Sequence, residues 1–505
     1  MINFKSLLSK KYLSKRYFLA VLAGFLLSAP LSYPSLFFLS WIGLIPFLFA
    51  IRELSTLKVF ISGTLMGSTL IFYSSYWLYY PLIEFSGLPY IPAFFMFFLL
   101  FILYGLIYGF WAIIYKFIKN DKDISVFLLA ITWIGFEYLR YLFFSELPFG
   151  YLAYTQANFL SLVQFAEYGG IFLVGFILIL INGYMYKSLI RKNIRYIVPM
   201  ILFLVFIVFF GAWRINQYNN EDYESIEVAV IQTSLDPQEK WLSSNIEPNI
   251  DNLMSKSHEL DGVKLIVWPE TALTFDLIRN QYYYDKFMEY FPLEESYLQI
   301  SGHAIIDNNV ERYNSSFLLT PDGSIENRYN KMRLVPFGEY FPMVDLIRKL
   351  GVRLSSQTPG NEATIFSLDS FAWRTVICSE ILFPYLVQKN ILEADFIVTQ
   401  SVESWYRRGN LQEQMWAATI FRAVENRRSV LKSANMGYGG IISPAGTSIV
   451  KKHSQEKSLI SNEIALNNIE TLYQRWGDFI AIISLILLIT LLVIRLIMFY
   501  LHNKK

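Results

Sequence analysis

Hydrophobic positions along this chain follow two regimes. Long apolar runs with few charges lie near residues 17–33, 35–51, 59–80, 90–115, 124–144, 162–186 and 196–213, and one more near 478–500. A bilayer core about 30 Å thick takes roughly 20 apolar residues of helix, so this pattern predicts about eight transmembrane helices, the first two short. Between the seventh and eighth runs, polar and apolar positions mix and turn residues become frequent. Strand-like runs there are Ile226–Gln232, Leu265–Trp268, Leu298–Ile306, Ser316–Thr320, Ala372–Cys378, Phe396–Thr399, Val430–Ala434 and Gly440–Ile442. Helical spacing appears near 245–260, 276–290 and 411–427. Such alternation predicts a layered α/β domain with a sheet core. Pro321-Asp322-Gly323 and Pro444-Ala445-Gly446 read as hairpin-type turns. The expected organisation is a seven-helix bundle over 1–213, a globular domain over 214–477, and a C-terminal helix with its tail over 478–505.

Composition supports the membrane reading, since 54% hydrophobic against 17% charged residues is too apolar for an entirely soluble protein. Charge then sets an orientation. Lys5, Lys10, Lys11, Lys15 and Arg16 precede the first run; Arg52 and Lys58 follow the second; Lys116, Lys119 and Lys122 follow the fourth; Lys187, Arg191, Lys192 and Arg195 follow the sixth. The alternate short loops carry Glu84 and Glu146 but no Lys or Arg. The positive-inside rule therefore predicts both termini on the cytoplasmic side, Lys504 and Lys505 included, and the long mixed segment on the outer face. The basic flank and apolar run at the N-terminus resemble a signal peptide, but no small-x-small cleavage site ends the run. It reads as an uncleaved first helix. A net charge of +2 without long Lys/Arg blocks gives no nucleic-acid surface. Four dispersed histidines and one cysteine offer no metal-ligand spacing, so neither metal nor cofactor is expected.

That one cysteine, Cys378, cannot form an internal disulfide. It is either a buried small hydrophobe or a nucleophile, and its surroundings decide. Three segments of the globular region share an arrangement in which a strand-like run ends in a reactive residue. Leu265-Ile266-Val267-Trp268-Pro269 stops at a proline that cannot donate to a ladder, leaving Glu270 just beyond. Tyr329-Asn330-Lys331 precedes Leu334-Val335-Pro336-Phe337-Gly338-Glu339-Tyr340, and Trp373-Arg374-Thr375-Val376-Ile377 runs into Cys378-Ser379-Glu380.

The series W-P-E, Y-N-K with L-V-P-F-G-E-Y, and a strand ending in C-x-E resembles the nitrilase superfamily of carbon-nitrogen hydrolases. With the apolar spans on either side, nearly the full length resembles the bacterial apolipoprotein N-acyltransferase family. Arg422-Ala423-Val424-Glu425 and Asn435-Met436-Gly437 resemble its R-A-x-E helix and N-x-G strand. Trp133, Glu137 and Arg140 resemble its W-x-x-x-E-x-x-R pattern, and Leu147-Pro148 with Tyr154-Thr155-Gln156 a membrane loop. The resemblance implies an α-β-β-α sandwich, a Glu270-Lys331-Cys378 triad, a phospholipid acyl donor and a diacylated apolipoprotein acceptor, in a bacterial cytoplasmic membrane. Glu270 would be the general base, since a thiol of pKa about 8.5 is mostly protonated at neutral pH. Lys331 would stabilise thiolate and oxyanion, with the Ser379 amide as a second donor. Glu339 and Glu380 would orient Lys331 or the incoming amine, although Glu380 also fits an exposed strand-end carboxylate. Trp241 would cover the acyl pocket, or simply pack. The segment from Pro336 to Leu350 reads as a lid or as a packed surface loop. Glu137 and Arg140, three apart within a span, read as a self-neutralising pair bracing the bundle, because a lone charge there costs roughly 2.5–3.5 kcal/mol.

Departures from the family pattern fall at Val402-Glu403-Ser404-Trp405-Tyr406, where N-D-A-W-F is usual, at Phe149 in place of a tryptophan, and at Ser379 in place of an aromatic. They bear on the acyl and acceptor pockets rather than on the triad. Two other readings stay open: a membrane-anchored amidase that gives its thioester to water, and a non-catalytic module that binds lipoproteins. A monomer is the default, since one chain supplies every residue named.

Overall fold

The computed structural model describes residues 4–84, 89–119, 125–144, 148–306, 311–336, 338–340, 356–368, 370–406, 409–456 and 458–503. The chain separates into two compact units, one running to Arg214 and resuming at Trp476, the other centred on Ile215–Arg475.

In the first unit the described residues hold six helices long and apolar enough to cross a bilayer, where the sequence predicts eight: Thr56–Ile83, Tyr90–Ile118, Val126–Phe143, Ala166–Arg191, Ile194–Asn220 and Phe479–Asn503. The two short runs make the difference. Phe4–Ser32 is one helix, but its apolar part begins only at Tyr17, behind Lys15 and Arg16. The second run is broken into a 3-10 helix, Pro34–Trp41, and a short α-helix, Ile45–Ala50. Pro46 at the start of the latter cannot donate to a preceding turn, which prevents one continuous helix.

Close packing of small residues joins the next two helices. A Cβ on Gly105 would lie 2.1 Å from Ser68 Oγ and 2.7 Å from the Thr64 carbonyl, and one on Gly63 would lie 2.6 Å from the Tyr108 carbonyl. Gly67 and Gly109 make similar approaches. Apolar lipid gives helices no hydrophobic reason to associate, so such backbone approach supplies the van der Waals contact instead. Glu137 and Arg140 are both buried, but no ion pair within 4 Å joins them among the described residues. Arg140 Nη1 donates to the Phe149 carbonyl at 2.7 Å, and its guanidinium lies 4.0 Å from the centre of the Tyr151 ring. Arg140 thus braces the loop after its own helix. Leu147 and Glu146 lie outside the described residues.

The described residues of the second unit form twelve strands: β1 (Ser225–Ile231), β2 (Leu265–Val267), β3 (Tyr297–Ile306), β4 (Glu311–Leu319), β5 (Ile325–Asn330), β6 (Ile365–Leu368), β7 (Phe371–Ile377), β8 (Phe396–Val402), β9 (Ser429–Asn435), β10 (Tyr438–Ile442), β11 (Ser448–His453) and β12 (Leu459–Ala465). They form two six-stranded sheets, in the orders β12-β1-β2-β3-β4-β5 and β11-β10-β9-β8-β7-β6. The four strands not expected from sequence, β5, β6, β11 and β12, lie at or beside sheet edges. Their outward positions are polar, as in Ile325-Glu326-Asn327-Arg328, which weakens the strand signal.

One face of the first sheet packs on the amphipathic helices Ile246–His258 and Gln281–Met288 through Ile250, Leu253, Met254 and Phe287. The opposite face meets the second sheet through Val228, Val267, Tyr329, Trp373, Val398 and Leu431. The helix Leu411–Asn426 packs against β9 and β10. The result is an α-β-β-α sandwich. A buried polar knot pins the sheets together: Gln299 Nε2 on β3 donates to Thr375 Oγ1 on β7 at 2.9 Å, and Trp373 Nε1 donates to Gln299 Oε1 at 2.8 Å. Central strands β1-β2-β3 and β7-β8-β9 run parallel within their sheets, and ligands of such sheets bind beyond the carboxyl ends of the strands.

Gly105→Val should force apart the helices Thr56–Ile83 and Tyr90–Ile118, costing on the order of 1–3 kcal/mol. A lowered thermal midpoint of the detergent-solubilised protein would report it; an unchanged midpoint would mean that the close approach is dispensable.

Candidate active site

Beyond the carboxyl end of β2, Pro269 ends the ladder and Glu270 turns inward, buried. Its Oε1 accepts from Asn314 Nδ2 on β4 at 2.8 Å and from Lys331 Nζ at 3.3 Å. Its Oε2 accepts from the Val402 amide, at the end of β8, at 2.8 Å. Lys331 follows β5 and is buried; its Nζ also donates to Glu339 Oε1 at 2.8 Å. Asn314 Nδ2 reaches that same Glu339 oxygen at 3.1 Å, so one amide and one ammonium hold two carboxylates together.

Cys378 follows β7 and opens a 3-10 turn, Cys378–Leu382, with φ of +55°. A non-glycine residue in the left-handed region is uncommon and costs of order 1–3 kcal/mol, a strain that gathers at functional turns. Its thiol donates to the Val402 carbonyl at 3.9 Å, and it is electrostatically coupled to Glu270. The structure therefore brings Glu270, Lys331, Cys378 and Glu339 into one cluster. Ser379 is the next residue of the turn, half-buried.

Glu380 has a different place. It is fully buried rather than at an exposed strand end, and its carboxylate accepts from the amides of Met332 (2.7 Å), Arg333 (3.0 Å) and Ile377 (2.7 Å) and from the Tyr329 hydroxyl (2.8 Å). It ties the loop that carries Lys331 to the turn that carries Cys378. Trp241 is about a third exposed and stacks on His303, with ring centres 5.5 Å apart and planes 22° apart. Most of the segment expected as a lid or loop, Phe337 and 341–350, lies outside the described residues.

The contributions of five residues escaped the sequence reading. Asn314 sits in an ordinary alternating strand, with no local signal. The Val402 backbone acts where the family pattern differs, so the side-chain change there leaves its contacts to Glu270 and Cys378 in place. Behind it, Glu403 pairs with Lys432, both fully buried, and Lys432 Nζ also donates to the Tyr438 carbonyl at 2.7 Å. Lys240 is buried, and its Nζ donates to the Glu270 carbonyl at 3.0 Å and to Thr271 Oγ1 at 2.8 Å, securing the turn on which Glu270 sits. Its place directly before Trp241 was the available hint.

Electrostatics follow from these contacts. Burial raises the Glu270 carboxyl, but Lys331, Asn314, the Cys378 thiol and Lys240 together hold it below the ordinary glutamate value. Burial lowers Lys331, yet Glu270 and Glu339 hold it well above the ordinary lysine value. For Cys378, burial and the Glu270 charge push the thiol well up, with Lys331 opposing. Burial brings Lys240 down to about 8 against the pull of Glu270. The resting cluster is thus a carboxylate, an ammonium and a protonated thiol. Such a set has the chemistry that nucleophilic catalysis at a carbonyl requires: a base for a thiol, and a cation for the charge that develops.

A sandwich of this kind, with such a cluster beyond its parallel strands and apolar spans attached, defines a membrane-bound enzyme of the carbon-nitrogen hydrolase class. Residues 227–474 match the carbon-nitrogen hydrolase model, and residues 23–184 match the apolipoprotein N-acyltransferase N-terminal domain. The apolipoprotein N-acyltransferase of Geobacter metallireducens is 28% identical over 488 residues, covering 92% of each chain. That of Borreliella burgdorferi is 25% identical, covering 90% of each. Among solved structures, a carbon-nitrogen hydrolase from Helicobacter pylori has a TM-score of 0.39 and 16% identity, over 51% of this chain and 94% of that one. Over nearly its full length the chain is thus similar to apolipoprotein N-acyltransferases.

Two outcomes test the site. Glu380→Ala leaves three amides and a hydroxyl without their acceptor and should cost roughly 3–5 kcal/mol, read as a lowered thermal midpoint; a midpoint within a degree of wild type would refute the tie. Alkylation of Cys378 by iodoacetamide, followed against pH, should have its midpoint above that of a free cysteine. Glu270→Gln removes a charge that raises the thiol and leaves Lys331, which lowers it, so the midpoint should move to lower pH. An upward move would contradict the assigned protonation states.

Proposed function

We propose that this chain transfers a fatty acyl group from a phospholipid, through a thioester on Cys378, to the N-terminal amine of a diacylglyceryl-cysteine apolipoprotein. The observation that carries the reading is the buried Glu270-Lys331-Cys378 cluster, in a chain similar to the family named for that transfer. In the first half-reaction Glu270 takes the thiol proton as sulfur attacks the ester carbonyl. Lys331 and the Ser379 amide stabilise the oxyanion; one such donor is typically worth about 3 kcal/mol. Glu270 then returns the proton to the departing lysophospholipid oxygen. In the second, the amine attacks the thioester, Glu270 takes its proton, and the sulfur leaves and is reprotonated.

The enzyme would be a multi-pass protein of the bacterial cytoplasmic membrane, with its catalytic domain on the periplasmic face and both termini cytoplasmic. Counting six spans instead of eight removes two consecutive crossings, which leaves the parity, and so this orientation, unchanged. Membrane lipid would then surround the apolar helices, and one chain suffices for the chemistry as a monomer.

Intact mass of the detergent-purified protein after incubation with phospholipid, beside Cys378→Ser, tests the reading. A fatty-acyl increment is expected on the wild type alone, removed by hydroxylamine and discharged faster by a diacylated peptide amine. Loss to water at the same rate would favour the amidase reading. Absence of any increment on folded, lipid-bound protein would favour the non-catalytic module.

A further inference from the structure

His303 and Asn314 are directly opposite one another on antiparallel β3 and β4. Opposed residues share a face, and alternation along β3 puts His303 on the same face as Gln299 and Ser301. That face looks toward the second sheet, as the Gln299–Thr375 bond requires, and Ser301 Oγ accepts from the Thr271 amide beside Glu270 at 3.1 Å. His303 therefore ends a polar row that passes beneath the Glu270 turn.

Among the described residues, two atoms in this place have no partner. Asn314 is buried, and its amide is oriented by Nδ2, which faces carboxylates on Glu270 and Glu339; its Oδ1 is left without a donor. His303, also buried, has an unpartnered Nδ1. Buried polar atoms left unpaired are costly, and those that persist ask for a ligand or a water. Burial and the neighbouring Arg312 hold the imidazole down to about 4, so it is neutral and does not repel a cation. Trp241 covers one ring face of His303.

We infer that His303 and Asn314, beside Glu270, form the subsite that receives the acceptor's amino group. The inference rests on the two-step reading above. A primary amine brings several N–H donors and must lose one proton to attack. Once Cys378 is acylated its thiol proton has left the site, and Glu270, again a carboxylate, can take the amine's proton. Asn314 Oδ1 and the His303 ring meet the remaining N–H groups. The step balances within the site: the C–N bond forms, the C–S bond breaks, and the amine's proton passes through Glu270 to the sulfur. Water has fewer donors to satisfy this set, so the arrangement favours aminolysis over hydrolysis.

The experiment separates the half-reactions in the full-length protein in detergent. Phosphatidylethanolamine loads the thioester, and a diacylglyceryl-cysteinyl peptide discharges it, both followed by intact mass. His303→Phe keeps a ring for Trp241 to stack on and removes the nitrogens. Loading should stay within about twofold of wild type, while discharge by the peptide should fall about tenfold or more. His303→Gln, which retains a polar side chain able to accept, should recover much of that loss. Unchanged discharge by His303→Phe would overturn the inference and leave the two orphan atoms to a buried water. Equal slowing of both half-reactions, or no recovery in His303→Gln, would overturn it in favour of a scaffold role. Failure of the wild type to load at all would sink the two-step reading itself, a result distinguishable from either.

Discussion

One buried ammonium holds the catalytic unit's chemistry in place. Lys331 is shared by Glu270 and Glu339; Lys331 and Glu270 are buried and Glu339 is half-buried. Desolvating such charges costs several kcal/mol each, and attraction repays that only where the geometry is good and the remaining lone pairs are bonded. Here they are bonded: Asn314 bridges the two carboxylates, the Val402 amide takes the far oxygen of Glu270, and the Val335 amide donates to Glu339 Oε2 at 2.8 Å. The cost of burying charge thus falls on a cluster assembled from five separate segments, so the site forms only when both sheets have closed.

Glu380 addresses a related difficulty. Cys378 sits in a strained backbone conformation just past β7, and Lys331 lies one residue past β5, where its amide makes a last bond to the Asn314 carbonyl at 2.8 Å. A single buried carboxylate that accepts from both segments fixes their separation. Its role is geometric, although its position two residues from Cys378 suggests chemistry. Lys240 does the same for the Glu270 turn, where Thr271 also takes a positive φ of 47°. Each of the two strained turns is therefore held by one buried ionisable side chain acting through backbone groups.

Much of this organisation was legible in the sequence because it rests on local signals. Apolar runs marked the six long helices, a proline marked the end of β2, and reactive residues stood where strand-like runs stopped. What was not legible depends on tertiary pairing. Asn314 and His303 look like unremarkable members of alternating strands until the β3–β4 register sets them opposite each other beside Glu270. Val402 works through its amide and carbonyl, which no side-chain pattern can report. Glu137 and Arg140 have the spacing of a helical pair, yet Arg140 meets the Phe149 carbonyl and the Tyr151 ring.

The protonation states have a consequence for how the Cys378 thiol survives. Burial and the Glu270 charge keep the Cys378 thiol protonated at rest, so the thiolate that oxidants and adventitious electrophiles attack is scarce. Glu270, held low by Lys331, is a weak base toward that thiol in the empty site. Proton transfer becomes favourable only as a carbonyl oxygen begins to carry negative charge beside Lys331, because that charge competes for the ammonium and releases its hold on Glu270. On the proposed reading the base strengthens as the oxyanion grows. The same buried ammonium that makes the resting cluster stable then couples the two events, and reactivity appears with the substrate rather than before it.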